Sequence, residues 1–187
     1  MNKKNIALII LNFLTMIFAG SSEELGLKEL CQKSDKIISA RVISINSHYE
    51  ENRKRIISTI ELQVVQVFKG NHRSFEIFTL DVLGGTLDGI TTTVVGAPIY
   101  KIGQHTILFL KTTTLKNGKT NNIVTGQSQG KFNIYYDQIS KDENITREDD
   151  VDIPLKVEKN SSDLIIQMKK TKKYQEFIKE IEAIVKK

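Results

Sequence analysis

In three stretches of this chain the alternation of apolar residues changes phase partway along. In "KRIISTIELQVVQVFKG", Ile56, Ile60, Leu62 and Val64 share one parity and Val65 and Val67 take the other. In "KIISARVISINS", Ile38, Ala40 and Val42 give way to Ile43 and Ile45, and in "SFEIFTLDV", Phe75 and Ile77 give way to Phe78, Leu80 and Val82. A strand slipped by one residue sends every following side chain to the opposite face. A flat sheet with one buried face does not accommodate that cheaply, whereas bulged, strongly coiled strands in a small closed barrel do. The pattern therefore predicts a mostly antiparallel barrel of five or six strands between Ile37 and Tyr136, with the first two strands forming a hairpin around "HYEENRK".

Flanking segments carry a different period. Leu25, Leu27, Leu30 and Cys31 recur at helical spacing and predict a short helix directly before the first strand. "HTILFLKT" is apolar on both parities, as a strand covered on both faces would be, with a helix outside the barrel supplying the second cover. "GKFNIYYD" alternates, with Phe132, Ile134 and Tyr136 on one face. Residues 138–160 turn polar and acidic without a period and read as a mobile connection. The segment 161–187 opens with Ser161 or Ser162 as N-cap and spaces Leu164, Ile165, Met168, Phe177, Ile178, Ile181, Ile184 and Val185 as an amphipathic helix packed on the barrel.

The N-terminus predicts export. Lys3 and Lys4 precede an uncharged apolar run from Ile6 to Phe18, followed by Ala19-Gly20-Ser21-Ser22, the layout of a signal peptide over residues 1–21. The run is shorter than the roughly 20 residues that span a bilayer. Residues 22–137 are then expected to form the barrel domain, in the periplasm or the medium. One cysteine, Cys31, cannot form an intramolecular disulfide, so packing alone must hold the domain. Two of the charges behind the net +5 leave with Lys3 and Lys4, and "KKTKK" near the C-terminus reads as a solvated helix face. Basic residues are not interleaved with aromatics there, so no nucleic-acid partner is expected, and contact with a membrane surface is not expected either.

"LGGTLDGITTTVVGAPIYKIG" poses the main functional question. A phosphate-cradling loop needs a glycine turn that runs into a helix N-terminus. Here Gly84-Gly85 leads to Thr86-Leu87-Asp88-Gly89 and then the β-branched "ITTTVV", so the glycines instead mark a barrel corner. Loops on a rigid barrel are where binding surfaces lie. Gly84, Gly85, Leu87, Asp88, Gly89, Ile90, Ile99 and Tyr100 form the candidate partner-binding loop, the partner being another exported protein.

"DKIISARVISINS", "VVQVFKG", "VVGAPIYKIGQHTILFL" and "VTGQSQGKFNI" together resemble uncharacterised exported bacterial β-barrel domains. In those a helix and "SD" precede the first strand, a G-x-P-x-x-x-x-G segment precedes an "LFL" strand, and "QGKF" closes the domain. The resemblance covers Leu25 to Ile134. More distantly the layout is similar to the OB-fold barrel of netrin-like domains and tissue inhibitors of metalloproteinases, which implies an OB-like barrel here. Those inhibitors chelate the protease zinc through an N-terminal cysteine held by disulfides. Cys31 lies inside the expected mature chain and has no partner, so that chemistry does not carry over.

Catalytic and metal constellations are sparse. His48, His72 and His105 are expected in a hairpin turn, a strand connection and a strand start, without a second ligand at metal spacing. Cys31 with a histidine, or Asp81 with Asp88, are pairings that could serve a hydrolase. The expectation is a mainly β protein with flanking helices that binds without catalysis, metal or cofactor. An extracellular protease inhibitor of netrin-like type and a small secreted hydrolase are the alternatives.

Overall fold

The computed structural model describes residues 24–51, 54–114, 118, 120–138, 140–148 and 172–186. The expected signal peptide and the expected N-cap at Ser161 or Ser162 lie outside the described residues. In chain order the elements are α1 (Leu27–Lys33), β1 (Lys36–Glu50), β2 (Arg55–Lys69), β3 (Ile77–Leu83), β4 (Gly85–Leu87), β5 (Ile90–Thr92), β6 (His105–Thr114), β7 (Thr120–Val124), a 3-10 turn (Gln127–Gly130), β8 (Lys131–Asp137), β9 (Asp142–Arg147), β10 (Lys172–Lys173) and α2 (Tyr174–Val185). The described residues are mainly β, with two α-helices and an eight-stranded antiparallel sheet of order β10-β9-β8-β6-β1-β2-β3, in which β7 also pairs with β6.

The phase changes of the sequence are bulges between β1 and β2. Val42 faces Leu62 while Ser44 faces Glu61, which leaves Ile43 as the extra residue. Likewise Ser39 faces Gln66 while Ala40 faces Val64, leaving Val65 over. Each bulge bends the pair and adds twist. The strip β7-β6-β1-β2-β3 curls far enough for β3 to lie beside β7, yet no ladder joins them. The sheet is therefore not closed into the expected barrel. The third phase change is not a bulge within a strand. Phe75 precedes β3 at a φ of 67°, its N–H donating to the Val64 carbonyl at 2.7 Å, so Phe75 and Ile77 stay exposed while Phe78 and Leu80 enter the core.

Two apolar clusters occupy the two faces of the sheet. Ile38, Ala40, Val42, Leu62, Leu80 and Leu108 fill the concave side. Ile37, Ile107, Phe109, Phe132 and Ile134 lie on the other side beneath the helices. β6 contributes to both, Ile107 and Phe109 one way and Leu108 and Leu110 the other, as its double-parity pattern predicts. α1 buries Leu30 and Cys31, and α2 buries Phe177, Ile178 and Ile181 against this second face. The Phe177 ring lies 4.7 Å from Phe132, which lies 5.6 Å from Phe109.

Two expectations need correction near the C-terminus. Asp142–Arg147, placed by the sequence in a mobile connection, is β9, hairpinned onto β8 through a turn with Lys141 at a φ of 56°. Its pairing is carried by backbone, and Ile145 is its one buried large apolar residue, so no apolar period announces it. Lys172 and Lys173, expected inside the last helix, instead form β10 on β9, and the described helix begins at Tyr174. Lys173 reaches the Asp142 carboxylate at 2.9 Å, and Lys172 pairs with Glu180.

Candidate functional site

The glycine-rich stretch folds as a small hairpin, β4-β5, set against the outer half of the β1-β2 ribbon. Asp88 at a φ of 49° and Gly89 at 77° form its two-residue turn. Paired positive φ values match the right-handed twist of the flanking strands, and Asp-Gly supplies them at low cost. The Asp-Gly dipeptide between Leu87 and Ile90 was the sequence signal for this hairpin, and the corner-glycine reading passed over it.

Gly84 and Gly85 are close-approach positions. A Cβ on Gly85 would sit 2.0 Å from Ser58 Oγ and 2.6 Å from Ser47 Oγ, at a φ of 132°. Ser58 donates its hydroxyl to the Gly84 carbonyl at 2.8 Å, and Ser47 and Ser58 are hydrogen-bonded at 2.9 Å. These contacts pin the root of the hairpin to β1 and β2.

The second half of the stretch, 93–104, is tied at its far side. Ser128 N–H donates to the Gly96 carbonyl at 2.9 Å, and a Cβ on Gly96 would collide with Gln127. Ile99 N–H donates to Glu148 Oε1 at 3.2 Å, and Gly103 N–H donates to the Val42 carbonyl at 2.8 Å. Between hairpin and loop lies a cavity of about 420 Å³ with Ile45, Ile60, Val82 and Tyr100 among its walls.

Next to Tyr100 sits a buried charge. Lys131 is fully buried and its Nζ donates to Glu148 Oε2 at 2.6 Å and to Asn133 Oδ1 at 2.7 Å. Asn133 Nδ2 donates to the same Glu148 oxygen at 2.6 Å, and Lys131 Nζ lies 4.9 Å from the centre of the Tyr100 ring. Burial pulls the Lys131 ammonium below the usual lysine value, opposed by the Glu148 carboxylate. Burial, and then the Glu148 charge, pushes the Tyr100 phenol above its usual range. The Tyr100 hydroxyl has no hydrogen-bond partner among the described residues. Sequence reading noticed "QGKF" as a pattern but not that its lysine is an interior ion pair, because Glu148 sits in the polar stretch read as connection.

The eight residues expected in the binding loop divide by burial. Asp88, Gly89, Ile90 and Ile99 are exposed, Gly85 and Leu87 are half-buried, and Gly84 and Tyr100 are buried. Tyr100 is thus a wall of the core rather than a surface residue, since it closes the concave cluster over Lys131. Two apolar neighbours not singled out from the sequence are more exposed than either isoleucine of the eight: Val95 at 96 % and Ile102 at 69 %, beside Ile90 at 66 % and Ile99 at 60 %.

The other candidates are scattered. Among the described residues no group of three His, Cys, Asp or Glu could hold a metal ion. His48 lies within β1 rather than in the turn, His72 Nδ1 is 3.2 Å from Glu76, and His105 Nε2 is 2.7 Å from Ser39 Oγ. Burial, then the charge of Arg41, pulls the His105 imidazole below the usual histidine value. Asp81 accepts from Thr59 Oγ1 at 2.8 Å, while Asp88 serves the hairpin turn. Cys31 is buried in α1, and burial pushes its thiol up against the opposing charge of Lys69. A thiol without thiolate character or access is inert. Ellman's reagent is therefore expected to leave the native protein untouched at pH 8 and to react fully once denaturant is added, and fast labelling of the native protein would contradict this placement.

No family model, no curated protein and no solved structure matches this chain.

Proposed function

We propose that the protein is an exported, non-catalytic binding module that engages another exported protein through its 83–102 loop face. On this reading the curled sheet is an open OB-like barrel of netrin-like layout, in which β3 and β7 flank the seam. The strand order β7-β6-β1-β2-β3, with β3 beside β7, supports the barrel reading. The lysine-flanked apolar N-terminus supports export. Among the described residues no helix is long and apolar enough to cross a membrane.

One observation carries the binding reading: Ile90, Val95, Ile99 and Ile102 are each exposed along a stretch of chain that is itself tied down at Gly84, Gly96, Ile99 and Gly103. Large aliphatic side chains scattered singly need no explanation, but four exposed within thirteen residues of tied-down chain present apolar surface that water disfavours and a partner would cover. Catalysis has no comparable support, because Cys31 is enclosed and Asp81 and Asp88 are each engaged in local structure. Zinc chelation by the inhibitor route has none for the same reason. The experiment is retention from envelope or medium on the immobilised protein, comparing wild type with Ile90→Ser/Ile99→Ser. Loss of a specific retained protein with an unchanged melting curve is expected, and equal retention by both would contradict the surface.

A further inference from the structure

We propose that the cavity beneath the β4-β5 hairpin and the 93–100 loop binds an uncharged aliphatic alcohol, its alkyl body against Ile45, Ile60 and Val82 and its hydroxyl donating to Ser47 Oγ. This goes beyond the protein-binding surface: Ile90, Val95 and Ile102 do not line the cavity, and Ile99 is the one of those four exposed residues that does. Its size, about 420 Å³, falls within the range of small-molecule pockets.

The chemical class follows from the lining. Apart from the Tyr100 phenol, no ionisable side chain among the described residues lines the cavity, and the polar groups there are the hydroxyls of Ser47, Ser58 and four threonines together with backbone. Ser58 has one hydroxyl hydrogen and gives it to the Gly84 carbonyl. The Ser47–Ser58 hydrogen bond must then use the hydrogen of Ser47. Both donors are therefore spent, and Ser47 offers the cavity lone pairs only. The Thr86 and Thr91 hydroxyls are hydrogen-bonded to each other at 2.9 Å, which uses one of their two hydrogens. A ligand group that donates suits Ser47, whereas a carboxylate, which only accepts, meets lone pairs there and no cation among the described lining residues to offset the cost of burying its charge. The one buried cation nearby, Lys131 against the Tyr100 ring, is already neutralised by Glu148.

The test pairs 1-octanol with octanoate at pH 7.5, two molecules of equal chain length that differ in charge and in donor capacity. Isothermal titration calorimetry on the purified protein should give one saturable octanol site and octanoate binding weaker by about tenfold or more. Ala97→Phe, which puts a ring into the cavity from a half-buried loop position, should abolish octanol binding without changing the circular dichroism spectrum. Should Ala97→Phe fail to fold, Thr93→Phe, from an exposed lining position, takes its place. Ser47→Ala should weaken octanol severalfold and leave the site present. Absence of saturable octanol binding, equal affinity for octanoate, or full binding by a folded cavity-filling variant would each overturn the proposal. None of these outcomes depends on whether Ile90 and Val95, which lie outside the cavity lining, hold a protein partner.

Discussion

Replacing Glu148 with Ala is expected to cost about 3–5 kcal/mol of folding stability, which is a large share of what a domain of this size possesses. Glu148 accepts hydrogen bonds from Lys131 Nζ, Asn133 Nδ2 and Ile99 N–H, so the substitution strands an ammonium in the interior and frees the loop at once. Lys131→Met/Glu148→Leu should recover part of the loss, because removing both charges is far less harmful than removing one. A pH dependence accompanies the pair. Burial holds the Lys131 ammonium below its usual 10.5, so between that lowered value and 10.5 the unfolded chain carries the proton and the folded protein does not. Stability contributed by this group therefore rises as pH climbs through that window and is lowest beneath it. Lys131→Met should lack this rise. Urea midpoints of the four proteins across pH 7 to 10.5 check both statements, and a loss below about 1 kcal/mol for Glu148→Ala would mean that the pair behaves like an exposed one.

Phe177→Ala carries the second large effect, about 3–5 kcal/mol and a fall in Tm of roughly 10 °C. The Phe177 ring fills the space between α2 and β8, packed at a tilt against Phe132 and through it against Phe109. Truncation removes the apolar burial and leaves a void that the neighbouring β-sheet cannot collapse into. A thermal melt followed at 222 nm reads it. An unchanged Tm would show that α2 contributes little to the fold, against its packing on Ile107, Phe132 and Ile134.

The sequence disclosed most where packing alone dictates residue choice. Ile43 and Val65 are bulge residues because the parity of their neighbours switches there, and a switch of parity is visible in one dimension. β6 was legible for a similar reason, since a strand sandwiched between two clusters must be apolar on both faces. β9 and β10 were not, because their pairing is backbone to backbone and their side chains largely face water. Closure of the barrel was equally beyond reach, as parity tells which face a residue takes and not whether the first and last strands meet. In the candidate site the glycines were found by composition, whereas the Lys131–Glu148 pair joins residues 17 apart in sequence and leaves no periodic trace.

The central claim is that the loop face carrying Ile90, Val95, Ile99 and Ile102 is where this protein meets its partner. A photo-crosslinking amino acid at Val95, expressed in the native host, tests it most directly, with the same substitution at exposed Tyr136 on the β8-β9 hairpin as the control. A discrete protein adduct from position 95 and none from position 136 is the predicted result. No adduct from position 95, or the same adducts from both positions, would contradict it.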